Sequence, residues 1–129
     1  MLKAVKESEV NPEIPAIIGK DRWYIFCPGC YLDRKEKHPD DPRTWMNGAL
    51  HCFSENIHRF NGDVESPTLY PSLLNSYHYG EDRKAYICHS FVTDGRIQFL
   101  SDCTHPLANQ TVELMDVQPY LDYVKNNIL

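Results

Sequence analysis

The chain has 129 residues, of which 42% are hydrophobic, 24% charged and 12% aromatic, and its formal net charge is -5. This balance can bury a modest core and excludes a disordered tail, while the acidic charge counts against a non-specific nucleic-acid binder. Apolar runs such as Ala16-Ile17-Ile18 fall far short of the roughly 18 residues of a membrane span, so no membrane role is expected. The length suits one domain over 1–129. No charged-then-apolar leader opens the sequence, and five cysteines cannot all pair within one chain. The expectation is a cytoplasmic protein with reduced thiols, some of them holding metal.

Pro12 and Pro15 fix φ and remove donors, so no regular helix is expected in the first twenty residues. Arg22 to Cys27 is aromatic and β-rich and predicts a strand. It runs into Cys27-Pro28-Gly29-Cys30, which reads as a tight turn. Asp33 to Arg43, polar and with two prolines, reads as an exposed loop within an insert at about 31–48. Leu50 to Phe53 and Ile57 to Phe60 predict short strands around Ser54-Glu55-Asn56, and Asn61-Gly62-Asp63 predicts a turn. Pro67 and Pro71 argue for a shaped, extended loop over Ser66 to Ser72 rather than a central strand. Ala85 to Val92 and Arg96 to Leu100 flank Asp94-Gly95 and form the clearest hairpin. Thr111 to Leu114 adds a strand. The one helix expected is C-terminal, capped by Asp116, with Pro119 in its first turn and Tyr120, Tyr123, Val124 and Ile128 at helical spacing. The fold class is a mostly β, small α+β domain: an antiparallel sheet stapled by zinc, with a central hairpin and one terminal helix.

Cys27-x2-Cys30 supplies two thiolates that can reach one Zn2+, half of a tetrahedral site. Cys88-His89 and Cys103-x-His105 lie near the open end of the hairpin and offer the rest. The preferred ligand set is Cys27, Cys30, Cys88 and His105, with Cys103 as the substitute. Strand alternation puts Cys88 and Ser90 on one face and His89 and Phe91 on the other, so Cys88 and His89 do not share an ion. Two plainer readings remain. The thiols can be small buried hydrophobes, as Cys52 is expected to be, or Cys27 and Cys30 can be a redox couple. A redox couple calls for a helix directly after the motif, and Asp33 to Arg43 reads as a poor one.

Asp102, His89 and His105 form a second set, able to serve as base, orienter or ligand around an open metal position, with Ser90, Thr104 and Asp63 assisting. The plainer reading makes Asp102 a turn cap and His89 a packed sheet residue. If the proline-rich segment borders the metal, Asp63, Ser72, His89 and Asp102 line one cleft. His38, His58 and His78 read as surface or satisfied histidines.

Phe60-Asn61-Gly62-Asp63, Ser66-Pro67-Thr68, Tyr70-Pro71-Ser72, the run from Cys88-His89-Ser90-Phe91 to Phe99-Leu100, and Asp102-Cys103-Thr104-His105 together resemble a small phage and bacterial domain of unknown function. Its members often carry the label "ammonia monooxygenase". The resemblance covers about residues 22 to 115 and includes the amino-terminal Cys-Pro-Gly-Cys. Members follow that motif with a short spacer and a histidine. Here the nearest equivalent is His51, beyond the long Tyr31 to Gly48 insert, which leaves its role open. The monooxygenase label does not suit a chain this short, with no membrane span and no histidine-rich copper set. The resemblance implies a phage or prophage accessory protein of the host cytoplasm, and some relatives lie near ubiquitin-like conjugation genes. It points to a host or phage protein partner.

The functional expectation is therefore a zinc-stabilised protein-interaction module. The alternative is a metal-dependent hydrolase with an open zinc site and Asp102, His89 or His105 as acid or base. A zinc-ribbon nucleic-acid binder using Arg34, Lys35, Lys37 and Arg43 is disfavoured by the charge.

Overall fold

The computed structural model describes residues 1–10 and 22–127. The expectations that rested on Pro12, Pro15, Ala16 to Ile18 and Ile128 lie outside the described residues. In chain order the elements are β1 (Ala4–Lys6), α1 (Glu7–Val10), β2 (Arg22–Phe26), α2 (Pro28–Lys37), α3 (Pro42–Gly48) and β3 (Leu50–Ser54). They continue with β4 (Arg59–Phe60), β5 (Leu69–Tyr79), β6 (Lys84–Thr93), β7 (Arg96–Phe99), β8 (Thr111–Glu113) and α4 (Gln118–Asn127). Strand dominates, both sheets are antiparallel, and one helix closes the C-terminus, as the sequence predicts.

The first sheet has the order β1-β2-β3 and the second β4-β5-β6-β7-β8. Period-2 alternation on β2 sends Trp23 and Ile25 toward the second sheet, where they join Phe53, Leu73, Tyr86, Val92, Ile97 and Phe99 in one buried cluster. Phe26 and Val5 enter a second cluster, with Val117 and Tyr120 from around the start of α4. The first sheet thus packs on the second sheet through one face and on α4 through the other. Buried Lys3 ties the two sheets at one edge: its Nζ donates to the Gly95 carbonyl at 3.1 Å and pairs with Glu113. The hairpin between β6 and β7 turns where expected, with Asp94 and Gly95 at φ 50° and 76°, the positive values of a two-residue hairpin turn.

Four expectations need correcting. Asp33 to Arg43 is not a loop, because α2 and α3 occupy most of it. Pro28 and Pro42 each sit in a helix's first turn, where a proline lacks no needed N–H. Cys27-Pro28-Gly29-Cys30 is accordingly a helix start, with Cys27 as N-cap. The argument that no helix follows the motif therefore falls. The short α1 stands among the first twenty residues, where no regular helix was expected. Finally, Leu69 to Ser72 belongs to β5, an inner strand between β4 and β6. Pro71 is tolerated because the register slips there: Leu69 faces Val92 and Leu73 faces Ser90, so Tyr70, Pro71 and Ser72 lie opposite Phe91 alone. An unpaired N–H is not needed at such a bulge.

Candidate functional site: two side-chain sets on one strand

Strand β6 carries chemistry on both faces. Its buried residues alternate with more exposed ones, so Cys88 points inward and His89 outward.

On the inner face, Cys27, Cys30, His51 and Cys88 are all buried, and their ligand atoms lie within 4.8 Å of one another. Each arrives by a different device. Cys27 follows the last residue of β2, and Cys30 sits in the first turn of α2. The pairing of Ile25 with His51 sets β3 alongside β2, and β6 brings Cys88 from the second sheet. The Cys27 and Cys88 sulfurs are 3.8 Å apart, and Cys30 Sγ is 3.1 Å from His51 Nε2. Tyr86 donates its hydroxyl to Cys30 Sγ at 2.9 Å. Hydrogen bonds from Cys27 and Cys88 hold the Cys30 thiol far below its ordinary pKa, whereas sharing hydrogen bonds with Cys27 and Cys30 pushes Cys88 up. Burial would depress the His51 pKa, but the charge and hydrogen bonding of Cys27 and Cys30 outweigh it and push it up to about 10. Three thiols and one imidazole converge there within ligating distance of one another, and the set is consistent with a metal site.

Of the preferred ligands, the structure brings Cys27, Cys30 and Cys88 together with His51. His105 stands in a second, three-residue group with Cys88 and Cys103. His105 is buried and its Nδ1 accepts from the Leu107 N–H at 3.2 Å, leaving Nε2 without a hydrogen-bond partner. Burial lowers its pKa. Its ring meets Phe99 edge-on at 4.4 Å and lies so close to Gly29 that a Cβ there would stand 2.4 Å from it. Glycine in the motif is therefore required by the approach of His105. Cys52, expected to be buried, is exposed, since β3 turns His51 and Phe53 inward and Cys52 outward.

On the outer face, Ser72 Oγ lies 3.0 Å from His89 Nε2, and His89 Nδ1 lies 3.1 Å from Asp102 Oδ2. The β5 bulge presents Ser72 beside His89. Asp102 follows β7 in the loop that also holds Cys103. That thiol accepts from the His89 N–H and donates to the His89 carbonyl, both at 3.2 Å. Both main-chain groups of His89 are thus held by the residue next to Asp102. A cleft of about 370 Å3 opens on the Ser72 side, lined by Leu50, His51, Cys52, His58, Ser72, Leu73, Leu74 and Asn75. Another, of about 570 Å3, borders His89 and Asp102. Neither metal-ligating group includes His89 or Asp102 among the described residues.

Asp63 stands apart from this set, its Oδ1 accepting from the N–H groups of Glu65 and Ser66 at 3.0 and 3.2 Å. His58 is not a bystander: its Nε2 lies 3.4 Å from the Ser72 carbonyl and its ring packs on Phe53. Three of the insert's basic residues rest on aromatic rings, Arg34 over Tyr77 and Tyr86, Lys35 over Tyr31 and Trp45, and Lys37 over Tyr79 and Tyr86. No described helix is long and apolar enough to cross a membrane.

A serine, a histidine and an aspartate hydrogen-bonded in series define the side-chain arrangement of a serine hydrolase. Residues 3–100 match the model of the bacterial ubiquitination-like system serine protease family, BubE, and the chain belongs to that family. Ser72 and His89 fall inside the matched segment and Asp102 just beyond it. No curated protein and no solved structure matches the chain.

Proposed function

We propose that the protein is a serine protease acting on a protein substrate of a ubiquitination-like system. The observation that carries this reading is the chain from Ser72 Oγ through the His89 ring to Asp102. Ser72 Oγ attacks the substrate carbonyl carbon while its proton passes to His89 Nε2. His89 then gives that proton to the leaving amine, and water releases the acyl group by the same steps in reverse order of partners. Asp102, on Nδ1, fixes the tautomer that leaves Nε2 free to accept. The protein partner expected of an interaction module becomes the substrate, and His89 and Asp102 serve this serine rather than an open metal position.

We further propose that the inner set holds one structural zinc through Cys27, Cys30, His51 and Cys88. Four-coordinate zinc with Zn–S near 2.3 Å places sulfur pairs about 3.8 Å apart, and Cys27 and Cys88 have that separation. Bound there, zinc supplies folding energy and ties the two sheets together. His51 takes the place proposed for His105, which packs on the motif. Such reduced thiols suit a cytoplasmic setting.

The test is active-site labelling. Diisopropyl fluorophosphate should modify Ser72, located by mass spectrometry of the peptide, and should not modify Ser72→Ala. Labelling elsewhere, or none, overturns the proposal.

A further inference from the structure

Strand β4 pairs only with the start of β5, at Leu69 and Tyr70. From Ser72 onward, no strand among the described residues pairs with β5 on that side. The direction of the main chain along this open edge follows from β6. The His89 N–H is held by the Cys103 thiol, and the His89 carbonyl accepts from the Leu100 N–H at 2.9 Å. Both groups therefore point away from β5. His89 is the register partner of Leu74. In an antiparallel pair the two residues either exchange both hydrogen bonds or point both sets of groups outward. The N–H and carbonyl of Leu74 therefore point off the sheet edge. The Ser72 carbonyl, facing His58, marks the same side.

These groups open into the 370 Å3 cleft. Its far wall is Leu50, His51 and Cys52 of β3, the outer strand of the other sheet. Two strand edges therefore face one groove, and Ser72 stands at its end. Leu74 is 62% exposed. An open edge of unpaired donors and acceptors is a template for another strand.

We infer that this groove binds an extended peptide segment of the substrate, its main chain paired to Leu74 and its carbonyl carbon delivered to Ser72 Oγ. The inference rests on the serine-protease reading and names the form of substrate that reading requires. Main-chain pairing selects for extended backbone more than for particular side chains. A segment can pair here only if it is free of its own sheet, so the substrate offers a tail or an unpaired loop rather than a folded surface.

Leu74→Pro separates binding from chemistry. The substitution removes an N–H that β6 does not use, and proline is tolerated where a strand's N–H faces outward. Two reagents report. Diisopropyl fluorophosphate is small and needs only Ser72 and His89. A tetra-alanyl phosphonate diphenyl ester also needs the groove. Each bonds Ser72 Oγ to phosphorus, releasing fluoride or phenoxide, as the serine proton passes to His89. In Leu74→Pro the rate of the peptidyl reagent relative to that of the small reagent should fall about tenfold from the parent ratio, the scale of one lost hydrogen bond with its partner left unpaired. On the unaltered protein, N-methylating the peptidyl reagent's amides one at a time should give a loss of the same size, whether or not the variant folds. An unchanged ratio in the variant together with unchanged rates for the N-methylated reagents overturns the inference. A parent that reacts with the small reagent and not the peptidyl one overturns the inference alone. A parent that reacts with neither overturns the serine-protease reading and this inference with it.

Discussion

Cys88 and His89 are neighbours in sequence and belong to different worlds. Cys88 is fully buried among three other side chains able to hold a metal, where the two sheets meet. His89 is part-exposed, between a serine and an aspartate, beside clefts open to solvent. One strand with a period of two keeps them apart and fixes them to each other. Substitutions on the inner face should act through folding, and substitutions on the outer face through chemistry at constant stability.

The largest effect should come from emptying the inner set. Apparent zinc-binding free energies of structural sites are about 10–16 kcal/mol, as large as the whole net stability of a typical domain at about 5–15 kcal/mol. Cys30→Ser, or a strong chelator, should therefore release one zinc per chain and collapse the thermal transition, and labelling of Ser72 should disappear with it. A metal-free protein that still unfolds cooperatively at the parent temperature would break the contrast at its stronger side.

Next comes Ser72→Ala. Loss of the nucleophile should lower peptide hydrolysis by about 10^4-fold or more, with zinc content and unfolding midpoint unchanged. Asp102→Asn should follow with about a 10^2- to 10^4-fold loss. The lower end is the better expectation because the Asp102 side chain is 48% exposed, and water can partly replace its hydrogen bond to Nδ1. Both are read by rate measurements alongside calorimetry. A stability loss that parallels the activity loss would return Asp102 to the role of a turn cap.

Cys103 sits where the two faces meet. Its thiol bonds to both main-chain groups of His89, and its sulfur also lies within reach of Cys88 and His105. Cys103→Val keeps approximate volume and removes both hydrogen bonds. A small displacement of the base costs rate steeply, so labelling should slow by about 10- to 100-fold while zinc is retained, and Cys103→Ser should restore most of it. Loss of zinc in Cys103→Val would place Cys103 among the ligands instead.

Much of this was readable in the residues. Asp94-Gly95 announced the hairpin because only a positive-φ pair closes a two-residue turn there. Alternation alone separates Cys88 from His89. Cys27, Cys30 and Cys88 stood out by their spacing and position around the hairpin, and the structure brings the three together. Other features depend on tertiary context. Two prolines suggested a loop over Asp33 to Arg43, yet Pro28 and Pro42 occupy first-turn positions where they favour helix. Pro71 argued against an inner strand, and only the bulge that also presents Ser72 reconciles the two. Ser72 was visible as a cleft residue but not as the nucleophile proposed above, since no local motif links it to His89 across the hydrogen-bonded sheet. His51 stood out only as the nearest equivalent of the resembled histidine, its role left open by the length of the insert. The alternation of His51, Cys52 and Phe53 on one short strand was the signal that could have found it.

That alternation gives the smallest expected effect and the sharpest control. His51 and Cys52 are adjacent on β3, and both residue types ligate zinc, so composition alone does not choose between them. The pairing with β2 does: Ile25 faces His51, whose Nε2 lies against Cys30, while Cys52 faces Tyr24 with its thiol on the exposed side. His51→Ala should empty the site and lower the unfolding midpoint as Cys30→Ser does. Cys52→Ser should retain the zinc and change stability by less than about 0.5 kcal/mol, the usual range for an exposed position. Metal analysis and calorimetry on the two variants measure the same strand one residue apart. If Cys52→Ser lost metal while His51→Ala kept it, β3 would be turned over relative to the second sheet. The groove wall facing Leu74 would then present the opposite set of side chains.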